Sequence, residues 1–189
     1  GGVEHSLQGA AVNIAAYTTV VTIKLLAADL HVIKSIVNLA TSYGDTYISI
    51  SSGVVYDMAD VLYSGTHNAQ IDKFVADGIA PQLVAVAMDM DTLKLTMQFS
   101  EPIDTSKVVL NRIAIQSEAV LQGHFPEVQL TGGTVSTIDS IIVIVNLTRD
   151  DANNLKFLQS LATSKTNTFV LLHTGSMFDM NGNANDAQY

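Results

Sequence analysis

Between Thr92 and Phe99 the polar residues Thr92, Lys94, Thr96 and Gln98 alternate with Leu93, Leu95, Met97 and Phe99. A period of two marks a half-buried strand. Just upstream, residues 81–90 read as an extended apolar segment carrying Leu83, Val84 and Val86, and Asp91-Thr92 as a tight turn. The two runs predict a hairpin. Ser100-Glu101-Pro102 is expected to end it, because proline cannot donate to a ladder. Residues 108–115 predict a third strand, broken near Asn111-Arg112, and residues 128–130 a short one, with Gly132-Gly133 as a turn. Residues 138–147 are strongly β-branched and predict a central strand. A helix follows. Thr148 suits its N-cap, and Asp151 three residues on makes an acidic capping box. Ala152, Leu155, Leu158, Leu161 and Ala162 are expected to share one face of it. Residues 168–174 predict the closing strand, ending at Gly175. Antiparallel strands with one short helix between two of them describe a mainly β chain folded as a sandwich.

The same pattern occurs twice. At an offset of 122 residues, Thr18–Met58 aligns with Ser140–Met180 without a gap, and twelve of the 41 positions are identical. Ordinary residue usage would give roughly three. The identities include Asp29/Asp151, the run Leu39-Ala40-Thr41-Ser42 against Leu161-Ala162-Thr163-Ser164, Gly53/Gly175 and Asp57-Met58/Asp179-Met180. The apolar stripe of the helix recurs as Ile33, Ile36, Leu39 and Ala40. Gly1-Gly2-Val3 matches Gly132-Gly133-Thr134-Val135, with about nine extra residues after it in the first copy. Ala69-Gln70-Ile71 matches Ala187-Gln188-Tyr189.

The phase of this repeat sets the expected organisation. Residues 1–62 are the C-terminal half of a first unit, 63–80 a connector, and 81–189 a second, complete unit. The connector holds Ile71, Phe74 and Val75 and is too apolar for a free linker, so it is expected to dock as a strap. A half unit cannot close its own core. Either the chain is a window on a longer tandem array, the favoured reading, or a neighbouring molecule supplies strands.

Composition narrows the function. Nine Lys and Arg against 18 Asp and Glu give a formal net charge of -9. That disfavours nucleic acid, whose binding rests on basic side chains neutralising phosphates, and an anionic membrane surface. No apolar run approaches the ~20 residues of a membrane span, so no membrane insertion is expected. Cysteine is absent. This excludes disulfides, thiolate metal sites and a cysteine nucleophile.

Candidate chemistry is sparse. Asp179, Asn181, Asn183 and Asp186 place oxygen-bearing side chains around Gly182, which resembles half of a calcium loop. Asp72, Asp77, Asp89 and Asp91 are the acids that would complete such a cage. The plainer reading is a turn, since the bidentate glutamate of a full loop is missing. Glu101 and Asp104 flank Pro102, but nothing in the sequence supplies a cleft for an acid/base pair. His5, His31, His67, His124 and His173 are scattered without zinc-ligand spacing. No nucleophile elbow or phosphate loop is present. The chain is therefore read as no enzyme and as needing no cofactor, calcium being the one ion in question. Asn146-Leu147-Thr148 is an N-glycosylation sequon.

Leu93-Lys94-Leu95-Thr96-Met97-Gln98-Phe99-Ser100-Glu101-Pro102-Ile103-Asp104 ends a strand. Some seventy residues later comes Phe178-Asp179-Met180-Asn181-Gly182-Asn183. This order resembles the tandem Ig-like β-sandwich repeats of large extracellular and cell-surface proteins, where a "TFSEPVD"-like strand end pairs with a "DxAGN"-like domain end. Leu130-Thr131-Gly132-Gly133-Thr134-Val135 fits the same group, and the likeness covers nearly the whole chain. Copy one departs from it at Asp57-Met58-Ala59-Asp60. The resemblance implies tandem Ig-like antiparallel sandwiches, each with one short inserted helix. It implies a structural role in an extracellular filament, surface appendage or matrix, with copies of itself or neighbouring repeats as head-to-tail partners. The alternative it allows is a calcium-dependent adhesin or a carbohydrate-binding surface module. The absence of Trp disfavours a lectin-like site.

Overall fold

The computed structural model describes residues 2–14, 19–121 and 123–189. The chain is mainly β, with, among the described residues, every strand pairing antiparallel and two short α-helices. It divides into two compact units, Gly1–Asp77 and Gly78–Tyr189. Among the described residues no helix is long and apolar enough to cross a membrane.

The first unit holds β1 (Ala10–Ile14) paired with β2 (Val21–Leu25), then α1 (Ala27–Ser35), then β3 (Tyr47–Ile50) paired with β4 (Thr66–Gln70). The first half of the connector thus contains a strand, and Asp77 further along it makes an ion pair with Lys34 of α1 at 2.5 Å.

The second unit has two sheets. One runs in the order β5 (Leu83–Asp89), β6 (Lys94–Ile103), β10 (Ser140–Leu147), β9 (Gly133–Val135). The other runs β11 (Phe169–Leu172), β7 (Ile113–Gln116), β8 (Glu127–Gln129). Leu95, Met97 and Phe99 of β6 and Val143 and Val145 of β10 meet Ile113, Ile115, Val170 and Leu172 in one core. The alternation read from residues 92–99 places these β6 residues inward. β10 lies between β6 and β9, the central place its β-branched sequence predicts. The helix α2 (Arg149–Phe157) adds Ala152 and Leu155 to the interior.

The structure differs from the sequence reading in five places. β6 continues through Ser100, Glu101 and Pro102 to Ile103. Its register against β10 jumps from Gln98↔Ile142 to Ile103↔Ser140, so Pro102 falls in the irregular stretch where no ladder donor is needed. The strand expected from residue 108 starts only at Ile113, after a 3-10 turn at Leu110–Arg112. Gly133 opens β9 instead of sitting in a turn; its φ is +137°, and a Cβ there would lie 2.5 Å from the Asn146 carbonyl oxygen. Thr148 does cap α2, accepting from the Asp151 amide at 3.0 Å. The Asp151 carboxylate completes no box: it turns to Thr131. Finally α2 ends at Phe157, so Leu158 and Leu161 follow the helix and do not continue its face; Leu161 is nonetheless buried in the turn beyond.

Candidate functional site

The 122-residue offset recurs in hydrogen bonds far beyond the aligned identities. Helices α1 and α2 start and stop at equivalent positions, as do β3 and β11. After each helix, Ser42 N donates to Asp45 Oδ1 at 2.7 Å, and Ser164 N donates to Asn167 Oδ1 at 2.8 Å. Ala40 and Ala162 both take positive φ, +52° and +56°. The bridge Tyr56↔Leu62 equals Phe178↔Ala184. Ile50↔Thr66 equals Leu172↔Gln188, so the true counterpart of Gln188 is Thr66 and the Ala-Gln likeness at 69–71 and 187–189 is four residues out of step.

The front of each copy also has a shared anchor, which the sequence reading misplaced. Asp29 and Asp151 are 1% and 0% exposed, though aspartate is rarely interior. Asp151 accepts from Thr131 N at 3.1 Å to each oxygen and from Thr131 Oγ1 at 2.9 Å. Asp29 accepts from Gln8 N at 3.0 and 3.1 Å, from Gly9 N at 3.3 Å, and lies 2.8 Å from His5 Nε2. The Gln8 amide, then the His5 ring, hold the Asp29 carboxyl below its usual range against the opposing effect of burial. Gln8 therefore stands where Thr131 does. Gly9-Ala10 takes the place of Gly132-Gly133, and Gly1-Gly2 does not. The signal in the sequence was a buried acid about twenty residues after a glycine-bearing turn, 21 from Gln8 to Asp29 and 20 from Thr131 to Asp151, hidden by the more conspicuous Gly-Gly.

The candidate calcium ligands sit in a closed turn. Asp179 is 2% exposed. Its Oδ1 accepts from the amides of Asn181 and Asn183 at 2.9 and 2.7 Å, and its Oδ2 from Asn183 Nδ2 at 2.7 Å. Asn181 contributes its main chain. Asp186 is exposed and offers its carbonyl to Asn185 Nδ2 at 2.7 Å. The first copy builds the same turn without Gly-Asn: Asp57 Oδ1 accepts from Ala59 N and Val61 N at 2.8 and 2.9 Å. Asp60 there takes φ +60°, where Gly182 takes +88°. Asp89 is likewise occupied by the amides of its own hairpin, Asp91 and Thr92, at 2.9 and 3.0 Å.

Glu101 is buried. Asp104 caps the next turn through Ser106 N and pairs with Lys107 at 2.8 Å. Burial pushes the Asp104 carboxyl up, and the bonds from Lys107 and Ser106 outweigh it, leaving a net lowering. No histidine among the described residues joins a group of three metal-ligating side chains. Asn146 is exposed on β10, with Nδ2 3.0 Å from Thr134 Oγ1 on β9.

The largest contrast between the units is burial. Every buried apolar side chain among the described residues lies in the second unit; among the described residues of the first unit only Asp29 is buried. Val143, Val145 and Leu147 are 0%, 0% and 7% exposed, whereas their counterparts Val21, Ile23 and Leu25 are 43%, 43% and 36% exposed. Val170 is 2% exposed and Ile48 is 44%. In the second unit these positions are covered by β6 and β7. In the first unit, among the described residues, β2 is hydrogen-bonded in its sheet to β1 alone, and β3 to β4 alone.

No family model, no curated protein and no solved structure matches this chain.

Proposed function

We propose that the chain is a structural repeat module of an extracellular filament, surface appendage or matrix protein, built from tandem Ig-like sandwiches and carrying out no catalysis. One observation carries the reading. Two successive units make the same helix, the same Asp-centred turns and the same buried-Asp anchor from only twelve identities in 41 aligned positions. What the copies share is scaffold: caps, turns and strand ends. Enzyme sites, by contrast, are grafted on a fold and need their chemistry in one place only. A duplicated scaffold suits an array in which each unit contacts its neighbours, as in a rod. An extracellular or cell-surface setting is the natural one for such a rod, and an exposed Asn146 within the sequon supports it.

Electron microscopy of the native assembly tests this. Filaments with a regular axial repeat are the expected outcome. A globular particle without periodicity would reject the reading.

A further inference from the structure

We infer that the open face of the first unit is an acceptor for two β-strands, supplied by a polypeptide segment of the same kind as residues 78–131, and that the registers of both strands are set. The inference rests on the repeat reading above and goes further, in naming the occupant and its alignment.

The second unit shows what such a face requires. There β6 pairs with β10 so that Met97 lies opposite Val143, Thr96 opposite Ile144, Leu95 opposite Val145 and Lys94 opposite Asn146. Subtracting the offset, an incoming strand lies along β2 with its Met97-like residue opposite Val21, its Leu95-like residue opposite Ile23 and its Lys94-like residue opposite Lys24. In the second sheet β7 pairs with β11, Ile115 opposite Val170 and Ile113 opposite Leu172. A second incoming strand therefore lies along β3, opposite Ile48 and Ile50. Among the described residues each edge has one partner in its sheet, and Val21, Ile23 and Ile48 of the inward faces are exposed while Ile50 is half-buried. An exposed edge backed by apolar side chains is a template for strand addition.

Charge defines the occupant more narrowly. Asn146 of the second unit is Lys24 in the first. A Lys at the 94-like position would place like charges directly opposite, which is unfavourable. The segment that fits the first unit carries an acidic or neutral residue there. Residues 78–131 of this chain, with Lys94, are thus an imperfect match for the first unit and a good one for their own.

The test uses a longer chain in which residues 78–131 are repeated ahead of Gly9 in place of residues 1–8, the join that the Gln8/Thr131 equivalence dictates. Compared with the 189-residue chain, amide exchange in β2 and β3 should slow by at least about tenfold. Binding of a hydrophobic dye should fall. Lys94→Glu in the added segment should raise the first unit's melting temperature over the Lys94 version. Unchanged exchange in β2 and β3 would overturn the inference, and so would equal stability of the Glu and Lys versions, which would mean another register. If the longer chain is insoluble, a separate peptide of residues 78–131 with Met97→Cys and Lys94→Glu is added to the intact chain with Val21→Cys. The absence of native cysteine makes the cross-link unambiguous. Its formation with Val21→Cys but not with a Lys24→Cys control supports the register. Failure to form the cross-link refutes it. A filament seen by microscopy together with no strand match would sink this inference and leave the repeat reading standing.

Discussion

At the residue scale, Asp179 and Asp60 make the turn that closes each copy testable. Asp179 satisfies three N–H groups from inside the protein. Asp179→Ala would strand two main-chain amides, each costing about 1–3 kcal/mol when buried and unpaired. The second unit should lose roughly 2–4 kcal/mol in denaturant titration, and Asn183→Ala, which removes one side-chain donor, should cost less. Asp179 Oδ1 takes two amide hydrogen bonds and Oδ2 one, so most of the carboxylate's acceptor capacity is used inside the turn. The expected result is a melting temperature indifferent to millimolar calcium or to chelator; a shift of several degrees would reassign the turn to the ion. Asp60 carries the complementary experiment. A non-glycine residue at φ +60° is strained, although Asp bears it better than most. Asp60→Gly should therefore slow exchange at the Asp57 and Val61 amides, while Gly182→Asp should destabilise the second unit by up to about 1 kcal/mol. The sequence made this turn visible through its Asp, Asn and Gly. It did not reveal that copy one would form it without the glycine, because the Asp57 carboxylate, not the glycine, organises the loop.

At the element scale, the helix start was legible and its purpose was not. Thr148 reads as a cap, and is one. Asp151 reads as its capping-box partner, yet its carboxylate bonds a loop twenty residues earlier. Local motifs report local bonds; a buried acid whose partner is far along the chain has the same sequence appearance as one that caps its own helix. Pro102 taught a similar lesson. Proline is barred from a regular ladder, but the ladder is irregular there, so the strand runs on. The anchor predicts a pH response in the first unit. The folded Asp29 carboxyl titrates below its ordinary 3.8. The unfolded chain therefore takes up the proton at higher pH than the folded one. The stabilisation is fully present above about pH 3.8 and is lost as pH falls through the lower folded value. Amide exchange at Gln8 and Gly9 should stay slow down to the mild-acid range and accelerate below it. Asp29→Asn should remove that acid-dependent step. Exchange that is insensitive to pH below 3.8, once corrected for intrinsic rates, would show that the carboxylate does not hold this segment.

At the scale of the whole molecule, the two units share a plan and differ in whether their core is closed. The recurrence of helix and strand positions was readable because a fixed offset keeps apolar residues at the same places: Val21 and Val143, Leu25 and Leu147, Leu39 and Leu161. Burial was less readable, because the same residue is interior in one copy and solvent-facing in the other according to strands tens of residues away. This asymmetry leads to the last prediction. Leu95 is 0% exposed at the centre of the second core, so Leu95→Ala should cost about 2–5 kcal/mol in that unit. Ile23, equivalent to the buried Val145, is 43% exposed, so Ile23→Ala in the isolated chain should change stability by less than about 1 kcal/mol. Once the face is covered, the same substitution should cost several times more, because the methyl groups removed then leave a cavity rather than open solvent. Two transitions in differential scanning calorimetry, only the higher one sensitive to Leu95→Ala, are expected of the uncovered chain. If Ile23→Ala already cost as much as Leu95→Ala without any added segment, the first unit would have a closed core of its own, and the open face would be no acceptor at all.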